Sequence, residues 1–235
     1  MSAANLTIWS ARICPWAQRA TLVLREAGAY ENGLHHEEID LQNKPADYAQ
    51  RVNPASKVPV LQVGKEGEPD TAFIPESAVV LELVAELFPD SGLSPKDPVD
   101  RAKARYFISR FHEVATSPFL HVVYQGKLEA ADAALAGIEE VQQLLAKQPG
   151  KFLLGDQPTI GDLGVAPFVG RLFAFSKAGI VPESIATPLL NDPKYEAFRA
   201  YHEAITSRPS WKATFDDEYI VSASKERIEK LRAQQ

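Results

Sequence analysis

Cysteine is nearly absent from this 235-residue chain: Cys14 is the only one, so no internal disulfide framework can form. A lone thiol is ordinary in a reducing cytosol, and a cytoplasmic location is expected. The five histidines are scattered without metal-ligand spacing, so no metal is expected. Basic residues are outnumbered, 25 Lys and Arg against 31 Asp and Glu, and the formal net charge is -6. With no Lys/Arg-rich run to offset that excess, affinity for nucleic-acid phosphates is not expected. Long apolar runs are also missing, because Glu82, Glu86, Arg171 and Lys177 interrupt the most hydrophobic stretches. The opening "MSAANLTIWS" has no basic region followed by an apolar core, so neither secretion nor membrane spanning is expected. Without a secretory route, the acceptor pattern "NLT" at Asn5 carries no meaning.

What is present suits a globular chain with a substantial core: 45% hydrophobic residues and 24% charged. "LTIWS" (6–10) alternates as a strand does, and the next fifteen or so residues carry Ala20, Val23, Leu24 and Ala27 at helical spacing before Gly28. "LHHEEID" (34–40) has strand character, and "PADYAQRV" (45–52) reads as a short helix opened by Pro45. "VPVLQV" (58–63) and "TAFI" (71–74), separated by "GKEGEPD", form a predicted hairpin. In "ESAVVLELVAELF" (76–88), Val80, Leu83, Val84 and Leu87 share one helical face.

The chain then changes class. "PDSGLSPKDP" (89–98) ends the helix with three prolines and a glycine, and beyond it the pattern is almost wholly helical. The expected organisation is an α/β domain over 1–88, a linker over 89–97 and an all-helical domain over 98–235. Helices are predicted over 98–126, bent at Pro118, and over 129–147, 159–179 and 193–207, with a short one near 222–233. Thr159 and Asp162 stand at capping spacing for the third of these.

Cys14 falls between strand and helix. Pro15 fits the first helical position, where a missing N–H costs nothing, so Cys14 is placed at the N-cap. Unpaired N–H groups and the positive end of the helix dipole then face the sulfur and favour the nucleophilic thiolate. A buried structural cysteine is the other reading of a lone Cys. One mechanism is excluded: the residue three positions on is Ala17, so no second thiol in the chain can resolve a disulfide formed at Cys14. An outside thiol must do so, and intracellular glutathione is the obvious supplier.

Glutathione has two carboxylates and one amine on a peptide-like body. Its site needs anion donors, an acid for the amine, and backbone pairing between. Ser77 can offer a hydroxyl and an N–H at a helix start, and Glu76 can hold an ammonium. A cis Val58–Pro59 bond would turn the Val58 backbone outward to pair with the ligand. Lys44 and Lys57 could face the remote carboxylate. Capping and solvation are the ordinary roles of such residues.

Together, "ICPWAQRATLVL", "LQNKPADY", "NPASKVPVL" and "IPESAV" resemble the cytosolic glutathione transferase family, and most closely its omega class, in which cysteine replaces the tyrosine or serine of other classes. "TIGDLGVAP" resembles the family's helix-capping segment, and "SRPSWKAT" its usual ending. The resemblance covers nearly the whole chain. It implies a thioredoxin-like α/β N-terminal domain followed by an all-α C-terminal domain, with glutathione as cosubstrate.

By position, the resemblance further implies that Cys14 forms a mixed disulfide with glutathione. Val58, ahead of Pro59, would pair with the ligand backbone, Glu76 and Ser77 would hold its γ-glutamyl end, and Lys44 would approach its glycyl carboxylate. Trp16 stands where the class usually has phenylalanine and keeps an aromatic wall. A homodimer is implied, as is an open pocket for a hydrophobic or aromatic small molecule between the two domains. Phe119, Tyr124, Phe173 and Phe175 are candidates for its wall, and Tyr219 in the tail for its cover.

The expected activity is that of a glutathione-dependent thioltransferase or deglutathionylating enzyme acting on disulfides, glutathionyl-ketones or dehydroascorbate. Two alternatives stand beside it: a carrier of hydrophobic molecules with little turnover, and a conjugating transferase, for which Ser10 is the nearby hydroxyl.

Overall fold

The computed structural model describes residues 3–232. They form two compact units, the first ending at Ser94 and the second beginning at Pro95. The first unit contains, in chain order, β1 (Leu6–Ser10), α1 (Pro15–Glu26), β2 (His35–Glu38), α2 (Tyr48–Arg51), β3 (Val60–Val63), β4 (Ala72–Pro75) and α3 (Ser77–Leu87). Its four-stranded sheet has the order β2-β1-β3-β4. β1 pairs parallel with β2, which the intervening α1 allows, while β3 runs antiparallel to both β1 and β4. Trp9 packs with Ile39, Tyr48, Val52 and Val60. Side chains alternate across a strand, so Leu6 and Ile8, both buried, point to the opposite face. The exposed edge strand β2 carries His35 against Glu37 and His36 against Glu38, polar pairs that blunt an open edge.

Two differences from the expected boundaries bear on the site. The helix expected over 45–52 is a single turn, Tyr48–Arg51, with Pro45 outside it. β3 starts at Val60 rather than Val58, because Pro59 has no N–H to give to a ladder; the Val58–Pro59 peptide bond is cis, as the sequence reading supposes.

The second unit is all-helical: α4 (Pro98–Phe111), α5 (Ser117–Gln125), α6 (Ala131–Leu145), α7 (Ile160–Lys177), α8 (Glu183–Asn191), α9 (Glu196–Thr206), α10 (Pro209–Thr214) and α11 (Asp217–Arg232). The chain is thus a thioredoxin-like α/β unit followed by an all-α unit, as the sequence implies.

The expected bend at Pro118 takes a different form. α4 and α5 are separate helices joined by a π turn over His112–Thr116, and Pro118 sits in the first turn of α5. Proline cannot bond the carbonyl four residues back, at Val114, and the wide turn absorbs that mismatch before the proline is reached. α6 crosses at this point: a Cβ added to Gly137 would lie 1.9 Å from the Val114 oxygen, so no side chain fits there. Gly170 of α7 admits Trp211 for the same reason, with an added Cβ only 2.1 Å from the indole.

α7 is buried along nearly its whole length, and its start is fixed by the anticipated cap. The Thr159 hydroxyl accepts the Gly161 N–H, and the Asp162 carboxylate accepts the Thr159 N–H at 2.9 Å. Asp162 is fully buried and also accepts the Leu153 N–H and the Tyr201 and Thr159 hydroxyls. Burial pushes its carboxyl up, and these four bonds oppose the shift.

Segment 180–192 has no clear sequence periodicity, yet α8 forms there with Pro188 inside it. The final periodic stretch begins as a 3-10 turn, Pro193–Tyr195, before α9. The tail helix starts at Asp217, earlier than expected, and its expected end at residue 233 lies outside the described residues.

On α9, His202 stacks on Phe173 with ring centroids 4.0 Å apart. Burial first and the nearby Lys177 second lower its pKa from 6.5 to about 4. In the unfolded chain the imidazole takes up a proton near its ordinary value of about 6.5, so stability present above that pH is lost as pH falls toward about 4. Replacing His202 with Phe keeps the stack and removes the titration. Chemical denaturation at a series of pH values should therefore show a shallower loss of stability between about 6.5 and about 4 for His202→Phe than for wild type.

Candidate active site

The strand register brings the candidate residues to one end of the sheet. β3 pairs Val60 with Trp9 on one side and with Pro75 on the other. Continued one or two residues, that register puts Val58 and Pro59 between the turn after β1 and the start of α3. Three separate sequence motifs meet there.

After β1 the chain turns, with the Cys14 N–H bonded to the Ala11 carbonyl at 2.9 Å. Cys14 is extended (φ -83°, ψ 119°) at the N-cap of α1, and Pro15 opens the helix. Its own carbonyl takes the Gln18 N–H at 2.9 Å. The side chain makes no capping bond, and the residue is partly exposed rather than buried. Trp16, 38% exposed, lies just beyond it.

Val58 is half-buried and Pro59 buried. The carbonyl of Lys57, just before them, accepts two side-chain bonds: the Tyr48 hydroxyl and the Asn53 amide, each at 2.9 Å. Tyr48 is itself held edge-on to Trp9 at 6.2 Å. The backbone presenting Val58 is thereby anchored to the sheet. The Lys44 ammonium donates to the Ser56 carbonyl, which places this cation in the same loop, while Lys57 is exposed.

Glu76, between β4 and α3, has φ +71°, a left-handed conformation that costs a non-glycine residue on the order of 1–3 kcal/mol. Such strain persists where the surroundings impose it, and functional sites are frequent places for it. It leaves Glu76 exposed and Ser77 buried at the first position of α3. There Ser77 Oγ accepts a bond from Arg19 Nη1 at 3.1 Å.

Arg19, Tyr48 and Asn53 are the residues the sequence reading passed over. A signal existed for Arg19, since a charged residue flanked by Ala17, Ala20 and Val23 falls on the buried face of α1. The candidate pocket aromatics lie apart from these groups, in the helical unit. Phe119 and Phe175 are buried with ring centroids 6.1 Å apart, and Phe173 is buried in a stack with Phe198 and His202. This packing is that of a core, and helical periodicity alone does not say what covers such rings. Tyr124 is half-buried and Tyr219 is 41% exposed. Ser10 is buried at the last position of β1.

Among the described residues, no group of three or more His, Cys, Asp or Glu could hold a metal ion. No helix among them is long and apolar enough to cross a membrane.

Comparison with known proteins agrees with this arrangement. Residues 13–87 match the glutathione S-transferase N-terminal domain family, and residues 101–204 its C-terminal domain family. Glutathione S-transferase omega-1 of Mus musculus is 30% identical over 174 residues, 72% of this chain and 68% of the relative. The crystal structure of glutathione transferase Omega 1C from Trametes versicolor superposes with a TM-score of 0.86 at 32% identity, covering 97% of this chain and 98% of the other. Omega 2S from the same organism, solved in complex with 2,4-dihydroxybenzophenone, gives 0.84 at 26% identity over 94% and 98% of the two chains. The aligned stretches span from 65% to 72% of the first curated relatives. The chain belongs to the glutathione S-transferase family, in its omega class.

The double anchor at Lys57 is expected to stabilise the loop measurably. Tyr48→Phe and Asn53→Ala should each lower unfolding stability by about 1 kcal/mol. Removing both leaves the carbonyl without either donor. Urea unfolding of the two single variants and the double variant measures this, and no loss in the double variant would show that the carbonyl is satisfied without them.

Proposed function

We propose that the protein is a glutathione-dependent thioltransferase that removes glutathione from disulfides and glutathionyl-ketones through a mixed disulfide at Cys14. The observation that carries this reading is a partly exposed N-cap cysteine in a chain with no second thiol. The Cys14 thiolate attacks the glutathione sulfur. With a disulfide substrate, the S–S bond breaks and the other thiolate leaves. With a glutathionyl-ketone, the S–C bond breaks, and the enolate that leaves takes a proton from water to give the ketone. In both cases Cys14 is left bonded to glutathione. A second glutathione thiolate then attacks that bond, releasing glutathione disulfide and the Cys14 thiolate. Dehydroascorbate reduction uses the same thiol pair, two glutathiones supplying the two electrons.

In this reading, α1 contributes N–H groups and dipole beside the sulfur. The anchored Val58 backbone pairs with the cysteinyl part of glutathione, and Pro59 fixes its direction. Glu76 receives the γ-glutamyl ammonium and Ser77 its carboxylate. Lys44 faces the glycyl carboxylate, and Trp16 walls the thiol. The helical unit binds the hydrophobic or aromatic part of the second substrate. A homodimer in the cytoplasm, acting in detoxification or redox repair, completes the proposal and rests on family resemblance.

Carriage of aromatic molecules is a second reading, supported by the Trametes versicolor Omega 2S complex with 2,4-dihydroxybenzophenone. Conjugation led by Ser10 is disfavoured by the burial of that side chain. The test is glutathione-dependent cleavage of phenacyl-glutathione by wild type and Cys14→Ser. The variant's rate is expected to fall by about two orders of magnitude or more. Equal turnover in both would overturn the proposal. No turnover in either, with tight binding of dihydroxybenzophenone, would favour the carrier.

A further inference from the structure

Arg19 is a cation inside the α/β unit. It is the fifth residue of α1, and it is only 2% exposed. Removing a guanidinium from water is costly, and burial lowers its pKa to about 10. Its position is defined on two sides. The guanidinium carbon lies 5.0 Å from the centroid of the Trp16 ring, and Nη1 donates to Ser77 Oγ at 3.1 Å. Ser77, 6% exposed, is the first residue of α3, where the helix dipole is positive. The dipole therefore repels the guanidinium, and both attract an anion. The bond also sets the hydroxyl's direction. A serine oxygen that accepts from a guanidinium has its own hydrogen left to donate elsewhere, and the adjacent charge polarises that O–H into a stronger donor.

We propose that Arg19 is a positioning residue for glutathione: by holding Ser77 through its oxygen, it turns the hydroxyl hydrogen toward the γ-glutamyl α-carboxylate and adds its charge to that contact. This rests on the glutathione reading above and deepens it at one end of the ligand. A structural role alone would make Arg19 matter equally for any ligand of the site. A role through Ser77 makes it matter only for a ligand that carries the carboxylate.

The test is calorimetric binding of two ligands, glutathione and its analogue with the γ-glutamyl α-carboxyl converted to the amide. Arg19→Met is expected to weaken glutathione binding by roughly tenfold or more, the effect of a charge-assisted hydrogen bond. Binding of the amide should change by less than about twofold, because neither the charge nor the directed hydroxyl has an anion to meet. In a Ser77→Ala background the same arginine substitution should have a smaller effect on glutathione. Arg19→Lys keeps the charge without the planar fork and should weaken glutathione selectively by a smaller factor. It carries the test if Arg19→Met does not fold. Unchanged glutathione affinity, or equal weakening of both ligands, overturns the role given to Arg19. Failure of the wild-type protein to bind glutathione overturns the functional reading and this inference with it.

Discussion

β3 pairs antiparallel with β1 on one side and with β4 on the other, and the site depends on that shared register. Pairing Val60 with Trp9 brings the residues before β3 beside the turn that delivers Cys14. Pairing Val60 with Pro75 brings them beside the turn that delivers Glu76 and Ser77. A slip of one residue would exchange the faces of Trp9 and Ile8, which are buried on opposite sides of the sheet, and disrupt the packing of both. The hydrophobic alternation of a five-residue strand thus holds in place a site made of backbone turns. The Tyr48 and Asn53 bonds to the Lys57 carbonyl extend the same control to the stretch where the strand has not yet begun.

Both units bury polar groups at the places where their helices start. Asp162 is enclosed by four donors at the head of α7, where it fixes the direction of the most buried helix in the chain. Arg19 and Ser77 meet at the head of α3. The chemical difference between them is one of sign. A carboxylate at a helix N-terminus is favoured by the dipole and completes a structural cap, whereas a guanidinium is opposed by it. That contrast separates a completed structural cap from a junction whose positive character suits the proposed contact with the glutathione carboxylate.

Much of this was legible in the sequence where residue chemistry forces the backbone. Cys14-Pro15 marks a helix start because proline fits only there, and Thr159 and Asp162 declare the cap of α7. The order of elements in the first unit, and the change to a helical pattern beyond it, followed from period and from clustered prolines. Features that depend on what packs against a helix were not legible. The π turn before Pro118 lies where α6 crosses closely at Gly137, a contact from outside its own segment. α8 forms around Pro188 without a periodic signal. Phe119, Phe173 and Phe175 fall in helical segments, and only tertiary structure shows that other aromatics cover them. Arg19 interrupts an apolar stripe, which periodicity counts as noise until its partner Ser77, 58 positions away, is seen.

In the proposed reaction Cys14 carries glutathione covalently, and the chain, with no second cysteine, cannot release it unaided. Rapid-quench mixing of the wild-type protein with excess phenacyl-glutathione, in the absence of free glutathione, tests it directly. The expected result is one equivalent of acetophenone per chain, a protein–glutathione mixed disulfide of matching stoichiometry by intact mass, and then arrest until glutathione is added. Continued turnover without added thiol, or ketone release with no mass increase on the protein, would contradict it.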